Sequence, residues 1–207
     1  MPAAFGTDNR NFTDYKCFTV CFLFRQEVLF MKILLIGGSK SGKSHFAQEI
    51  LKAFPEAPKN FYFAAMEITD AEDEERVKKH IIDRAGWGFE TLECGRDLEK
   101  AVPIIRGCNV LFDSLTALLA NEMFSPEYDP DAAEKAYNEI NLVADAAENI
   151  VCVCDNVFCD GFIYDEYTEN YRKGLACICR RLAKDFDVVC EMVSGLVKTH
   201  KGFFNGP

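Results

Sequence analysis

From Met31 onward the chain alternates between apolar runs and segments whose apolar residues recur at helical spacing. Lys32 to Ile36 (KILLI) is almost wholly apolar and stops at two glycines. This predicts a strand buried on both faces, with a helix to follow over Lys43 to Ala53. Asn60 to Ala65 predicts a second strand, and the charged stretch from Asp70 to Asp83 an exposed helix. Further strands are predicted at Gly88 to Glu93, Asn109 to Asp113, Asn149 to Asp155 and Asp187 to Val193. Helical patterns lie between them at Asp97 to Ile105, Ser114 to Met123, Pro130 to Glu148 and Asp165 to Ala183. Strands alternating with helices of this length require crossover connections, hence an α/β fold with a mainly parallel sheet flanked by helices. There is no internal repeat, and no run approaches the roughly 18 apolar residues of a membrane span.

The first thirty residues break this rhythm. Met1 to Tyr15 is polar and unpatterned, and Cys17 to Phe24 (CFTVCFLF) is too short to cross a bilayer. Arg25, Gln26 and Glu27 follow where a signal peptide would carry small residues. We therefore expect residues 1–30 to be an extension outside the fold, from an upstream start codon, with an extra edge strand or a partner-binding tail as the alternative, and residues 31–207 to form a single domain.

Composition sharpens this in two places. With 207 residues, of which 49% are hydrophobic and 27% charged, the chain can bury the core of one ordinary domain. A formal net charge of −10 leaves no basic stripe to replace the counterions of a phosphate backbone, so nucleic acid is not an expected partner. Ten cysteines are present, but none makes a C-x-x-C knuckle and no secretory signal licenses a disulfide framework. In VCVCD (Val151 to Asp155) they alternate as small apolar residues of a buried strand, consistent with a reducing cytoplasm.

The chemistry starts after the first strand. Gly37, Gly38, Ser39, Lys40, Ser41, Gly42, Lys43 and Ser44 spell a complete G-x-x-x-x-G-K-S phosphate loop, between a predicted strand and a predicted helix. Its glycines let backbone N–H groups face a phosphate, and the helix N-terminus adds partial positive charge. Lys43 is expected to reach the β and γ phosphates and Ser44 to ligate Mg²⁺. A second metal ligand is expected from an acid at the end of a neighbouring buried strand, and VLFDSLT supplies Asp113 there. Asp113 could instead serve only as the N-cap of the next helix. At this point a phosphoryl kinase, a triphosphatase and a switch protein all remain open.

Glu72, Arg76 and His80 fall at intervals of four along one helix face. Alone, such a stripe is an ordinary solvated face. Its context differs: GGSKSGKS, then YFAA, then D-x-E-x-x-x-R-V-x-x-H (Asp70, Glu72, Arg76, Val77, His80), then DSLT with Asn121. This series resembles the bifunctional adenosylcobinamide kinase / adenosylcobinamide-phosphate guanylyltransferase family of cobalamin assembly, from Met31 to about Lys201. The resemblance implies a P-loop NTP-hydrolase-like three-layer fold. It also implies a catalytic His80 that attacks the α-phosphate of GTP and carries GMP, with Lys43 and Asp113 serving catalysis on the same nucleotide. Arg84 matches an arginine of the family, and Glu93, in FETLE, stands where the family has W-x-T-x-E, which makes it a nucleotide-binding candidate. Trp87 is then a packing residue. The implied ligands are GTP and ATP with Mg²⁺, the implied substrates are adenosylcobinamide and its phosphate, and family members form homotrimers. Beginning as it does at Met31, the resemblance reinforces that residue as the expected natural start.

The chain also departs from the family. Asp155 to Phe158 (DNVF) replaces N-E-V-G, a following proline is missing, YRKG (Tyr171 to Gly174) replaces F-R-D while keeping Arg172, and Cys179 with Arg180 replace an asparagine-glutamine pair. Because the loop and His80 survive, guanylyl transfer is the better supported activity. Three alternatives stand beside the bifunctional reading: guanylyl transfer alone, an unrelated small-molecule kinase, and a regulatory nucleotide-binding protein without turnover. His45 and His200 have no spacing that implies chemistry and are read as structural or solvent-facing.

Overall fold

The computed structural model describes residues 30–54, 57–67, 86, 88–124 and 126–202. Its strands are β1 (Lys32–Gly37), β2 (Asn60–Ala64), β3 (Glu90–Glu93), β4 (Asn109–Asp113), β5 (Asn149–Asp155), β6 (Val188–Val193) and β7 (Leu196–Lys201). Its helices are α1 (Lys43–Ala53), α2 (Val102–Ile105), α3 (Leu115–Phe124), α4 (Ala132–Ala146) and α5 (Glu166–Asp185). The strands form one sheet in the order β3-β2-β4-β5-β1-β6-β7, parallel except where β7 pairs antiparallel with β6.

Side chains on alternate positions serve opposite faces, as the period of two requires. Leu34, Phe61, Phe63, Val110, Phe112, Ile150 and Cys152 point into one core with residues of α3, α4 and α5. Ile33, Leu35, Tyr62, Leu111, Val151 and Val153 point into the other, against Ala47, Ile50 and Leu51 of α1. The result is three layers. Phe63 and Phe112 are fully buried with ring centroids 5.0 Å apart, and each such side chain contributes roughly 1.5–3 kcal/mol by leaving water. Five of the cysteines, Cys108, Cys152, Cys154, Cys179 and Cys190, are buried thiols.

The register of the central strands is pinned at the end opposite the phosphate loop. Asn149 Nδ2 donates to Asn109 Oδ1 at 2.9 Å, Asn109 Nδ2 donates to Asn60 Oδ1 at 3.0 Å, and the Met31 amide donates to Asn149 Oδ1 at 2.9 Å. Asn109 and Asn149 are buried, where an unmatched amide would be costly, so a slip in register is penalised. Asn60, Asn109 and Asn149 are paired across the sheet, and the opposite ends of the same strands follow from that alignment.

One predicted element takes a different form, and one strand has no counterpart among the predicted elements. The helix predicted over Asp97 to Ile105 is a 3₁₀ turn (Leu98–Lys100) followed by the short α2. Pro103 lies in the first turn of α2, where its missing N–H costs nothing, and it disfavours continuation of the preceding helix. The segment beyond Val193 (VSGLVKTHK) turns at Ser194 and Gly195, both at positive φ, and returns as β7. The helix predicted over Asp70 to Asp83 and the extension over residues 1–29 lie outside the described residues.

Candidate active site

The phosphate loop forms where β1 ends. Gly37 lies level with Asp155 on β5 and Met192 on β6, and a Cβ on Gly37 would sit 2.5 Å from the Met192 carbonyl oxygen and 2.9 Å from Ser41 Oγ. Only a glycine fits there. Lys40 and Gly42 turn the chain through positive φ of 56° and 93°, the Ser41 amide donates to Gly38 O at 3.2 Å, and α1 begins with the Phe46 amide on Gly42 O at 3.0 Å. Backbone N–H groups of such a turn, followed by a helix N-terminus, make an anion-binding concavity. Ser39 and Lys40 are exposed on it, and Gly38 has open space where a Cβ would go.

Lys43 and Ser44, the first two residues of α1, diverge to different acids. Lys43 is buried; its Nζ donates to Gly38 O at 2.7 Å and lies 2.8 Å from Asp155 Oδ1. Ser44 Oγ donates to Asp113 Oδ2 at 3.1 Å, and Tyr62 Oη donates to the same oxygen at 2.6 Å. The helix-cap contact at the start of α3 comes from Ser114, whose Oγ accepts from the Ala117 amide at 3.3 Å, so the Asp113 carboxylate faces Ser44 instead. A hydroxyl and a carboxylate at 3.1 Å offer two hard oxygen ligands to one cation, and this pair suits Mg²⁺ in donor chemistry.

Asp155 is the functional candidate that sequence reasoning passed over. Its other oxygen accepts from Thr116 Oγ1 at 3.2 Å, and Thr116 Oγ1 lies 2.5 Å from Ser114 Oγ. Tyr171 Oη on α5 donates to Thr116 O at 3.0 Å. Burial pushes the Tyr171 hydroxyl well above its usual pKa, so it remains a proton donor at ordinary pH. The signal was present in the sequence: VCVCD, like VLFD, is an apolar strand that ends in an acid at the carboxyl edge of a parallel sheet.

Glu93 ends β3 at that same edge. Ala64 pairs with Glu93 on one side and Asp113 on the other, so Glu93 stands two strands, about 10 Å, from Asp113 with an exposed side chain. It shares the sheet end with the loop without touching it. His80, Asp70, Glu72, Arg76, Arg84 and Trp87 lie outside the described residues. His45 stands 3.6 Å from Glu49 on α1, and His200 Nε2 is 2.9 Å from Glu191 Oε2 across the β6–β7 pair.

The departures also have definite places. The Asn156 amide donates to Gly37 O at 2.8 Å, and its side chain accepts from the Phe158 amide at 3.2 Å, fastening the segment after β5 to the loop. Arg172 holds the same segment through Val157 O at 3.0 Å and Phe158 O at 3.3 Å. Cys179 is buried 3.5 Å from Cys154 Sγ, while Arg180 is exposed.

A parallel sheet that ends in a phosphate loop, with a lysine, a hydroxyl and an acid converging on it, defines a P-loop nucleotide-binding protein. Comparison with known proteins narrows the class. Residues 33–199 match the family model described as cobinamide kinase / cobinamide phosphate guanyltransferase, and the chain belongs to that family. The bifunctional adenosylcobalamin biosynthesis protein CobU of Salmonella typhimurium is 29% identical over 181 residues, which span 80% of this chain and 97% of that protein. Among solved structures, the flagellar accessory protein FlaH from Methanocaldococcus jannaschii matches at TM-score 0.46 and 13% identity, over 83% of this chain and 78% of that one. A KaiC-like protein from Pyrococcus horikoshii OT3 matches at TM-score 0.46 and 12% identity, over 83% and 79%.

Proposed function

We propose that one phosphate loop serves two successive transfers in cobalamin biosynthesis: phosphorylation of adenosylcobinamide, then delivery of GMP from GTP to adenosylcobinamide phosphate through His80. The observation that carries this reading is the meeting of Lys43, Ser44 and Asp113 at the loop of a chain that belongs to a kinase/guanyltransferase family.

In the kinase step the hydroxyl of adenosylcobinamide attacks the γ-phosphorus, the bond to the bridging oxygen breaks, and a nucleoside diphosphate leaves as the hydroxyl proton is released. Lys43 and the loop amides stabilise charge on the transferring group, and positioning with electrostatics supplies most of the rate. Ser44 and Asp113 would hold Mg²⁺, which neutralises phosphate charge when bound. The segment Asp155 to Phe158 lacks the family glutamate but keeps an acid one position earlier, at the loop lysine, which favours a retained kinase over guanylyl transfer alone.

In the second reaction a neutral His80 ring nitrogen attacks the α-phosphorus of GTP and expels pyrophosphate. A histidine with the ordinary pKa of about 6.5 is roughly three quarters neutral at pH 7. A phosphate oxygen of adenosylcobinamide phosphate then attacks the same phosphorus, the P–N bond breaks, and adenosylcobinamide-GDP forms as His80 is regenerated. Glu93, at the same edge of the sheet, is assigned to the nucleotide. We place the enzyme in the cytoplasm as a homotrimer, which light scattering after size exclusion would test. Residues 31–207 are proposed as the catalytic unit, so a chain starting at Met31 should fold and bind GTP.

The deciding experiment supplies Mg²⁺ and GTP labelled at the α-phosphate. Protein-bound, acid-labile label that vanishes in His80→Ala is the expected result. Absence of label in the intact enzyme would remove the guanylyltransferase reading, and failure of γ-label to reach adenosylcobinamide would remove the kinase.

A further inference from the structure

Away from the phosphate loop, three carboxylates and one lysine meet where the segment after β3 packs on α3 and α4. Asp97 comes from that segment, Glu122 from α3, and Lys135 and Glu139 lie one turn apart on α4. One oxygen of each acid lies within 4.8 Å of the other two. The side chains of Glu122 and Glu139 are each 5% exposed. Nevertheless Glu122 Oε1 and both Glu139 oxygens accept no hydrogen bond from the described residues. Lys135 Nζ stands 2.6 Å from Glu122 Oε2, 3.3 Å from Asp97 Oδ1 and 3.8 Å from Glu139 Oε1, and Lys100 Nζ binds Asp97 Oδ2 at 2.7 Å.

Buried carboxylate oxygens without donors are costly unless a cation or a proton satisfies them. Lys135 makes its close contacts with Glu122 and Asp97 and Lys100 adds to Asp97, which leaves Glu139 largely unmatched. Burial first, and then the Glu122 charge, push the Glu139 carboxyl up to about 7.

We propose that Asp97, Glu122 and Glu139 bind a hard divalent cation of the Ca²⁺ type, in the place that Lys135 Nζ otherwise fills. The donors are all oxygen, the ligand set of hard cations. Oxygens within 4.8 Å of one another can share one Ca²⁺ at about 2.3–2.6 Å, and Ca²⁺ tolerates the irregular geometry of a carboxylate cluster on three segments better than Mg²⁺, which asks for a near-ideal octahedron. Lys135, 46% exposed on a flexible stem, can swing into water. The site is separate from the Ser44 and Asp113 pair and does not depend on the proposed reactions. It would clamp the segment after β3, where Asn121 Nδ2 already binds Gly95 O at 3.0 Å and Arg96 pairs with Glu67, to both helices.

Calorimetric titration of the nucleotide-free 207-residue chain with Ca²⁺ alone, and then with Mg²⁺ alone, tests this. The expected result is one Ca²⁺ per chain, weaker Mg²⁺ binding, and a rise in melting temperature with Ca²⁺. Glu139→Gln should abolish the Ca²⁺ heat and the thermal shift. Lys135→Ala should tighten Ca²⁺ binding by about tenfold, because it removes the competing cation. Asp113→Asn should leave binding unchanged. No Ca²⁺ binding in the millimolar range in both the unaltered protein and Lys135→Ala would overturn the proposal, showing that a proton rather than a cation satisfies Glu139. Undiminished binding in Glu139→Gln, or loss of binding in Asp113→Asn, would also overturn it. If Glu139→Gln fails to fold, Lys135→Ala decides alone, and unchanged or weaker binding there counts against the site.

Discussion

Strands β4 and β5 are neighbours in the sheet, and each is an apolar run closed by an aspartate, yet the two acids have different partners. Asp113 is level with Val153 on β5, which is level with Leu35 on β1; Asp155 runs two residues further and is level with Gly37. That offset is about 7 Å along the strand direction. At the lower level Asp113 receives hydroxyls, from Ser44 and Tyr62. At the upper level Asp155 receives the ammonium of Lys43. Strand length, set against a register pinned at the other end by Asn60, Asn109 and Asn149, therefore decides which acid is free to share a cation with Ser44 and which holds the loop lysine.

If that contrast is right, the two acids respond differently to neutralisation. Asp113→Asn is expected to have the largest effect, lowering kcat/KM for both transfers by about 10²-fold and raising the Mg²⁺ concentration needed for half-maximal rate. Steady-state assays across a Mg²⁺ series would check it, and an unchanged Mg²⁺ requirement would remove Asp113 from the metal site.

Asp155→Asn should act mainly on the nucleotide-free protein. Removing one partner of a fully buried ion pair costs about 3–5 kcal/mol, but Asp155 is 42% exposed and water screens part of the loss, so about 1–2 kcal/mol is expected in denaturant unfolding. On the proposed reading, phosphates replace Asp155 as the partner of Lys43 when nucleotide binds. Nucleotide Kd should then tighten by the same coupling, about 5- to 30-fold. Weaker nucleotide binding in this variant would mean that the two acids act alike, against the contrast drawn here. Tyr62→Phe is the smallest change, removing one hydroxyl donor from Asp113 at a cost of about 1 kcal/mol of stability, with unfolding midpoints as the readout.

Much of this arrangement was legible in the chain. β4 and β5 fall at their predicted bounds because wholly buried strands are unbroken apolar runs, and α1 begins at Lys43, immediately after the Gly42 of the phosphate loop. β7 was not legible because it is an edge strand whose Lys198, Thr199, His200 and Lys201 read as polar, and its pairing comes from the turn at Ser194 and Gly195 rather than from burial. Asp97 to Ile105 has helical spacing, but Asp97 lies at positive φ and Pro103 confines the helix to its last residues. The role of Asp155 was hidden for a different reason. Family comparison directs attention to the missing glutamate at Asn156, whereas the contact with Lys43 depends on register, which no local pattern reports. The acidic cluster of Asp97, Glu122 and Glu139 joins three distant segments and has no local signature at all.

The central claim is that one loop grips the nucleotide for both reactions while His80 serves only one. Both transfers, γ-phosphoryl to adenosylcobinamide and GMP to adenosylcobinamide phosphate, should be measured side by side in Lys43→Met and His80→Ala. The account predicts that Lys43→Met loses both and that His80→Ala loses guanylyl transfer while keeping the kinase. Guanylyl transfer that survives in Lys43→Met, or a kinase that disappears with His80, would contradict it.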